Sequence, residues 1–114
     1  MSKRSQLLYC RDILESGSAI NSYVRGITFD AFVLDRMRYS AVIREFEIIG
    51  EAVRKLPMEL KAGYPDIPWQ DIKDFRNLLA HEYFGVDLEI VWNTIQHELP
   101  ILLHAVQEMV NGIK

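Results

Sequence analysis

The sequence predicts an all-α protein, an antiparallel bundle of four to five helices. Three observations lead there. Apolar residues recur at helical spacing along the chain, Gly and Pro fall between those periodic stretches, and no strand pattern, repeat or low-complexity tract competes. The connections are short, so successive helices should lie antiparallel.

Leu7, Leu8, Ile13, Leu14, Ile20 and Val24 define a first helix from about Ser5 to Val24, with Gly17 weakening its middle and Gly26 near its end. Thr28 and Asp30 are candidate caps for the next helix. From Ala31 to Leu56 the set Phe32, Met37, Ala41, Phe46, Ile48, Ile49, Ala52, Val53 and Leu56 describes one long helix that Pro57 stops. Met58 to Ala62 make a short helical turn before Gly63. Tyr64-Pro65-Asp66-Ile67-Pro68 reads as a rigid linker, because the residue before each proline is pushed toward extended backbone. Pro68 fits the first turn of a helix from Trp69 to about Tyr83, which should end near Gly85. Asp87 can cap a helix from Leu88 to Glu98, and Pro100 either kinks it or opens the last helix, which fades at Gly112.

The 114 residues are expected to form one domain, residues 1–114, small enough for a helical protein to complete its core as a homodimer. Apolar residues make up 49% and charged residues 25%, as in ordinary globular chains, which argues against disorder and fibrous structure. The one cysteine, Cys10, has no partner for an internal disulfide, the N-terminus leads into charged residues, and no apolar run approaches a membrane span. A cytoplasmic protein without a membrane association is the resulting expectation. Net charge is −3, so a broad basic surface that binds nucleic acid by counterion release is excluded. The charge is uneven: residues 1–57 carry nine Lys/Arg against seven Asp/Glu, and residues 58–114 carry four against nine. Any RNA must therefore be met by a local pocket.

The most informative segment lies in that acidic half. Arg76-Asn77-Leu78-Leu79-Ala80-His81-Glu82-Tyr83 brings a permanent cation, a ring that titrates near neutrality and a phenol within eight residues. Together they can hold a phosphate, move a proton and accept a modification. At about 100° per residue from Arg76, Tyr83 falls at ~−20°, Ala80 at ~40°, Asn77 at ~100° and His81 at ~140°. Ile72, Phe75, Leu78 and Leu79 take the opposite arc, so Arg76, Asn77, His81 and Tyr83 are expected to look away from the bundle core. Asn77 and His81 form an i,i+4 pair in which the amide can orient the ring. Each residue alone also has an ordinary reading: a His that favours the helix dipole, a solvated Arg, a half-buried Tyr. Their convergence on one arc is what points to a site.

The string Arg76-Asn77-x-x-x-His81-x-Tyr83, with Ile48-Ile49-Gly50-Glu51-Ala52 upstream and Ile67-Pro68-Trp69 just ahead, resembles the HepT group of HEPN-domain proteins over nearly the whole chain. The resemblance implies a helical bundle, commonly dimeric, and a metal-independent ribonuclease that acts as the toxin of a HepT/MNT toxin–antitoxin pair. It implies as partner a minimal nucleotidyltransferase antitoxin of the MNT type, which neutralises the toxin by attaching AMP to the motif tyrosine, here Tyr83. Arg76 and His81 would be catalytic, Asn77 supporting.

Chemistry allots those roles. Arg76 cannot transfer protons at neutral pH, but its planar donors suit phosphate oxygens. His81, with an ordinary pKa of about 6.5, is the base or the acid. One imidazole cannot be both at once, so a two-fold dimer with two Arg76/His81 sets around one cleft is expected. Tyr83 stays protonated near neutrality, which leaves it a regulatory role.

Other constellations carry less. His97 and His104 share a face without a third ligand, so no metal is expected. Glu47 and Glu51, an i,i+4 carboxylate pair, make either a secondary polar site or an ion network with Arg44 and Arg54. Arg36-Met37-Arg38 is the best basic spot outside the motif, for RNA or an acidic antitoxin surface, and Trp69 and Trp92 read as core anchors. Two rival functions stay open: a non-catalytic nucleotide- or substrate-binding subunit of the transferase, with Arg76 as a phosphate anchor, and a dimeric adaptor whose motif face is an interface.

Overall fold

The computed structural model describes residues 1–73 and 87–113, and among these every regular element is helical. Helix α1 runs Lys3–Val24, α2 Phe29–Leu34, α3 Arg36–Lys55 and α4 Met58–Ala62. A helical turn at 69–73 follows the proline linker. Helix α5 is Leu88–Asn93, continued by a π-helical turn Thr94–Glu98 and by α6, Leu99–Ile113. The all-α expectation holds.

Helix α1 starts two residues earlier than its apolar pattern because Ser2 caps it, accepting a hydrogen bond from the Ser5 N–H at 3.1 Å. It closes on Gly26, whose φ of 75° lies in the left-handed region where a side chain is disfavoured. Gly17 acts otherwise than expected. It is buried, and a Cβ placed there would come within 2.4 Å of a Leu103 methyl, so this glycine lets α1 and α6 approach closely.

The long helix expected over Ala31–Leu56 is two helices. Asp35 breaks the chain out of helical geometry (φ −109°, ψ 87°) and caps the second piece, accepting the Arg38 N–H at 3.1 Å and the Arg38 Nε at 3.0 Å. An aspartate that bonds backbone two or three residues ahead offers a better local partner than the helix ladder does, which is why periodicity alone ran through it. The same guanidinium donates to the Tyr23 carbonyl, tying the start of α3 to the end of α1. The break resets the register: Met37, assigned to the core face, is 83% exposed, while Val42, absent from the expected set, is fully buried. Thr28 does cap α2, accepting the Ala31 N–H at 3.2 Å, whereas Asp30 sits in the first turn.

Helices α1 and α3 run antiparallel. Tyr23, near the end of α1, donates to Glu45 at 2.9 Å, and Lys55, at the end of α3, lies 5.6 Å over the ring of Tyr9, near the start of α1. Between them and α6 sits one core that includes Ile13, Ile20, Val42, Ile49, Leu99 and Val106. Trp92 closes it on one side, 5.2 Å from Phe32 and 6.0 Å from Phe29, as an anchor should.

Asp87 caps α5, accepting the Glu89 N–H at 3.0 Å. The helix expected over Leu88–Glu98 then changes pitch rather than stopping. Pro100 has no N–H to give and its ring crowds the carbonyl four residues back, and the ladder just ahead of it widens: the Leu99 N–H reaches the Thr94 carbonyl, five residues away. The chain thus passes Pro100 in continuous helix to Ile113.

Candidate functional site

The motif residues Arg76, Asn77, His81 and Tyr83 lie outside the described residues, and the helix expected from Trp69 to Tyr83 is described over 69–73 only. Described residues flank the segment at both ends. At the leading end Pro68 accepts the Ile72 N–H at 3.0 Å, starting the helix where a proline is tolerated. The Trp69 indole locks that start onto α4, donating to the carbonyls of Lys61 and Tyr64 at 3.1 and 3.2 Å. Trp69 is therefore half-buried scaffold, as expected. At the trailing end Asp87 opens α5.

Among the depressions that adjoin the leading end, two are the larger. One, of about 150 Å³, is apolar at its base, formed by Phe46, Ile49, Ile72 and Leu102 with Asp71 and Glu98 at its rim. The other, of about 510 Å³, opens between the end of α3, α4 and the 69–73 turn, and presents Arg54, Lys61 and Lys73 beside Met58, Pro65 and Trp69. Arg54 is held by Glu51, 2.6 Å from Nη2 to Oε1, which raises its pKa further. Lys61 is half-buried and donates to the Val53 carbonyl at 3.1 Å. Burial first, and then repulsion from Lys73, hold its ammonium below the usual lysine range.

Glu47 and Glu51 line a third depression, between α1 and α3, with Tyr9, Asp12, Arg44 and Lys55. Each carboxylate meets a cation of its own helix: Glu47 lies 3.2 Å from Arg44, and Glu51 additionally 3.7 Å from Lys55. Of the Arg36-Met37-Arg38 spot, Arg38 is taken up by Asp35 and the Tyr23 carbonyl. His97 and His104 are exposed, and His104 pairs with Glu108 at 2.8 Å. Among the described residues no group of His, Cys, Asp or Glu is placed to hold a metal ion, and no helix is long and apolar enough to cross a membrane.

Sequence reasoning passed over Lys61 and Lys73. The signal was available in the charge count, since residues 58–114 hold only four cations, Lys61, Lys73, Arg76 and Lys114, and two of them share one cleft.

A helical bundle whose sequence carries an Arg/His motif defines a class, and sequence comparison defines the family. Residues 13–109 match the HepT-like family, described as ribonuclease HepT-like, and the chain belongs to that family. It is 41% identical over 100 residues to a Thermococcus cleftensis protein named "Probable ribonuclease HepT", covering 88% of this chain and 91% of that one. It is also 41% identical over 106 residues (93% of this chain, 95% of the relative) to a Caldanaerobacter subterraneus protein named as a candidate RNase. A Methanocaldococcus jannaschii protein named in the same way is 35% identical over 114 residues, all of this chain and 94% of its own length. No solved structure gives a significant match.

Proposed function

We propose that this chain is a metal-independent endoribonuclease, the toxin of a HepT/MNT toxin–antitoxin pair, in which Arg76 and His81 carry the chemistry and Tyr83 carries the control. The observation that supports it is the Arg76-x-x-x-x-His81-x-Tyr83 string lying inside the 13–109 match to a ribonuclease family.

Cleavage of an RNA phosphodiester needs a base to take the ribose 2′-hydroxyl proton, a cation to stabilise the charge that grows on phosphorus oxygens, and an acid to protonate the departing 5′-oxygen. The 2′-oxygen bonds to phosphorus as the bond to the 5′-oxygen breaks, giving a 2′,3′-cyclic phosphate and a free 5′-hydroxyl. Arg76 supplies the cation through paired N–H donors. His81 supplies the proton transfer, and a neutral imidazole from one protomer with an imidazolium from its partner divides the base and acid roles across a two-fold axis. Asn77 orients the ring. AMP placed on the Tyr83 oxygen by the nucleotidyltransferase antitoxin puts a phosphate beside Arg76 and fills the cleft, removing charge and access together.

The test is incubation of the purified protein with a mixed RNA pool in chelator, beside His81→Ala and Arg76→Ala, with the same preparations weighed intact after co-expression with the transferase. The proposal expects cyclic-phosphate ends, a loss of about a hundredfold or more in His81→Ala with RNA binding kept, and an added AMP that disappears in Tyr83→Phe. Cleavage unchanged in His81→Ala overturns the catalytic assignment, and continued labelling of Tyr83→Phe moves the acceptor elsewhere.

A further inference from the structure

The half of the chain that holds the motif is acidic, with nine carboxylates against four cations, yet its cations are not scattered. Lys61 and Lys73 line one cleft of about 510 Å³, and neither forms an ion pair among the described residues. Like charges brought together without a carboxylate repel, and part of Lys61 is removed from water as well. A fold tolerates such an arrangement at a cost that a bound anion relieves. Arg54 on the same rim is already paired with Glu51, so among the described residues of the cleft the two ammoniums are the available charges.

Position ties this cleft to the motif. Arg76 follows Lys73 by three residues, so whatever path the chain takes, their Cα atoms lie within about 11 Å, the reach of three extended residues. The Trp69 indole, bonded to the carbonyls of Lys61 and Tyr64, fixes α4 against the 69–73 turn and so holds the two lysines across one opening. Met58, which is 81% exposed, and Pro65 add apolar surface beside them, suited to a ribose or a base edge. Two ammoniums on a cleft of this size, one of them three residues ahead of Arg76 in the chain, suit successive phosphates of a strand.

We propose that the cleft between α3, α4 and the 69–73 turn binds the backbone phosphates of the RNA strand next to the scissile bond, through Lys61 and Lys73. The proposal rests on the ribonuclease reading of the Arg76/His81 segment and adds a substrate-binding subsite to it. It also accounts for how a protein of net charge −3 holds RNA: locally, along a short basic track.

The experiment measures binding and turnover separately. Binding of a fluorescent single-stranded 2′-O-methyl RNA of mixed sequence, which has no free 2′-hydroxyl to react, is followed by anisotropy from about 50 to 200 mM salt. Wild type, Lys73→Gln, and Lys61→Gln with Lys73→Gln are compared, with the Arg versions as charge-keeping controls. Each lost phosphate contact should lower the slope of log affinity on log salt by about 0.7, so the double variant should lose about 1.4 and the single variant half of that. With a cleavable RNA, KM should rise and kcat stay close to wild type, and the Arg versions should restore both slope and KM.

Lys73 is exposed and its side chain makes no hydrogen bond among the described residues, so Lys73→Gln gives a folded test even if the double variant is unstable. An unchanged slope and KM in the folded variants overturns the proposal while leaving the ribonuclease reading intact. RNA binding that depends on the two lysines in a protein that cuts no RNA supports the cleft and overturns the ribonuclease. If the variants keep RNA binding but lose association with the co-expressed transferase, the cleft is a protein-docking surface and the proposal fails.

Discussion

Asp35 shows how much one side chain decides. It accepts the Arg38 backbone N–H and the Arg38 guanidinium, and those bonds, in that order, hold its carboxyl below the usual aspartate range. Because the native state binds this proton more weakly than the unfolded chain does, the contribution is present above the ordinary aspartate pKa and is lost as pH falls below about 4. Asp35→Asn keeps an acceptor for the cap and gives up the charge. Its stability should therefore fall less steeply than wild type through the acid range, while Asp35→Ala should melt earlier at every pH. Thermal unfolding between neutral pH and strongly acidic pH checks both, and parallel curves for Asn and wild type would remove the carboxylate from the acid response. Cys10 presents the opposite case, a fully buried thiol whose pKa burial raises, so it packs as a small apolar group and stays unreactive.

At the scale of elements, the differences from periodicity come from places where two demands meet at one residue. Gly17 lowers the intrinsic helix preference of α1 and yet is required by the approach of α6, with Leu103 over its Cα. Gly17→Val should destabilise the fold by about 1–3 kcal/mol through overpacking. In a Leu103→Ala background the same change should cost much less, since the space is then open, and chemical denaturation of the four proteins of that cycle measures the coupling. Additive losses would mean that the two helices meet elsewhere. Pro100 is the second such place. Its missing N–H is accommodated by a π-helical turn, so the helix continues through it instead of stopping.

Across the bundle, the described residues fix the two chain ends from which the motif segment is reached. The 69–73 turn leads to the motif from a start pinned by Trp69, and α5 leaves from a start pinned by Asp87. The proposed division of acid and base roles across two copies predicts that specific ribonuclease activity falls with dilution in step with the loss of dimer in sedimentation. A monomer that keeps full activity would sink the shared-cleft arrangement and leave His81 to act alone.

Much of this was legible in one dimension. The helical class, the short α4, the caps at Thr28 and Asp87 and the family motif follow from residue spacing, because capping and periodicity are local properties of a few neighbouring side chains. The helix break at Asp35 was not, since a capping aspartate inside an apolar pattern competes with a ladder whose strength depends on what packs against it. The convergence of Lys61 and Lys73 was not either, because they stand twelve positions apart with a proline linker between them and only the docking of Trp69 onto α4 brings them to one opening. Residue identity and spacing settled the helical class and the family, and nominated the groups for phosphate chemistry. Packing settled which cations share a cleft, since electrostatic repulsion between residues far apart in the chain exists only once folding has made them neighbours.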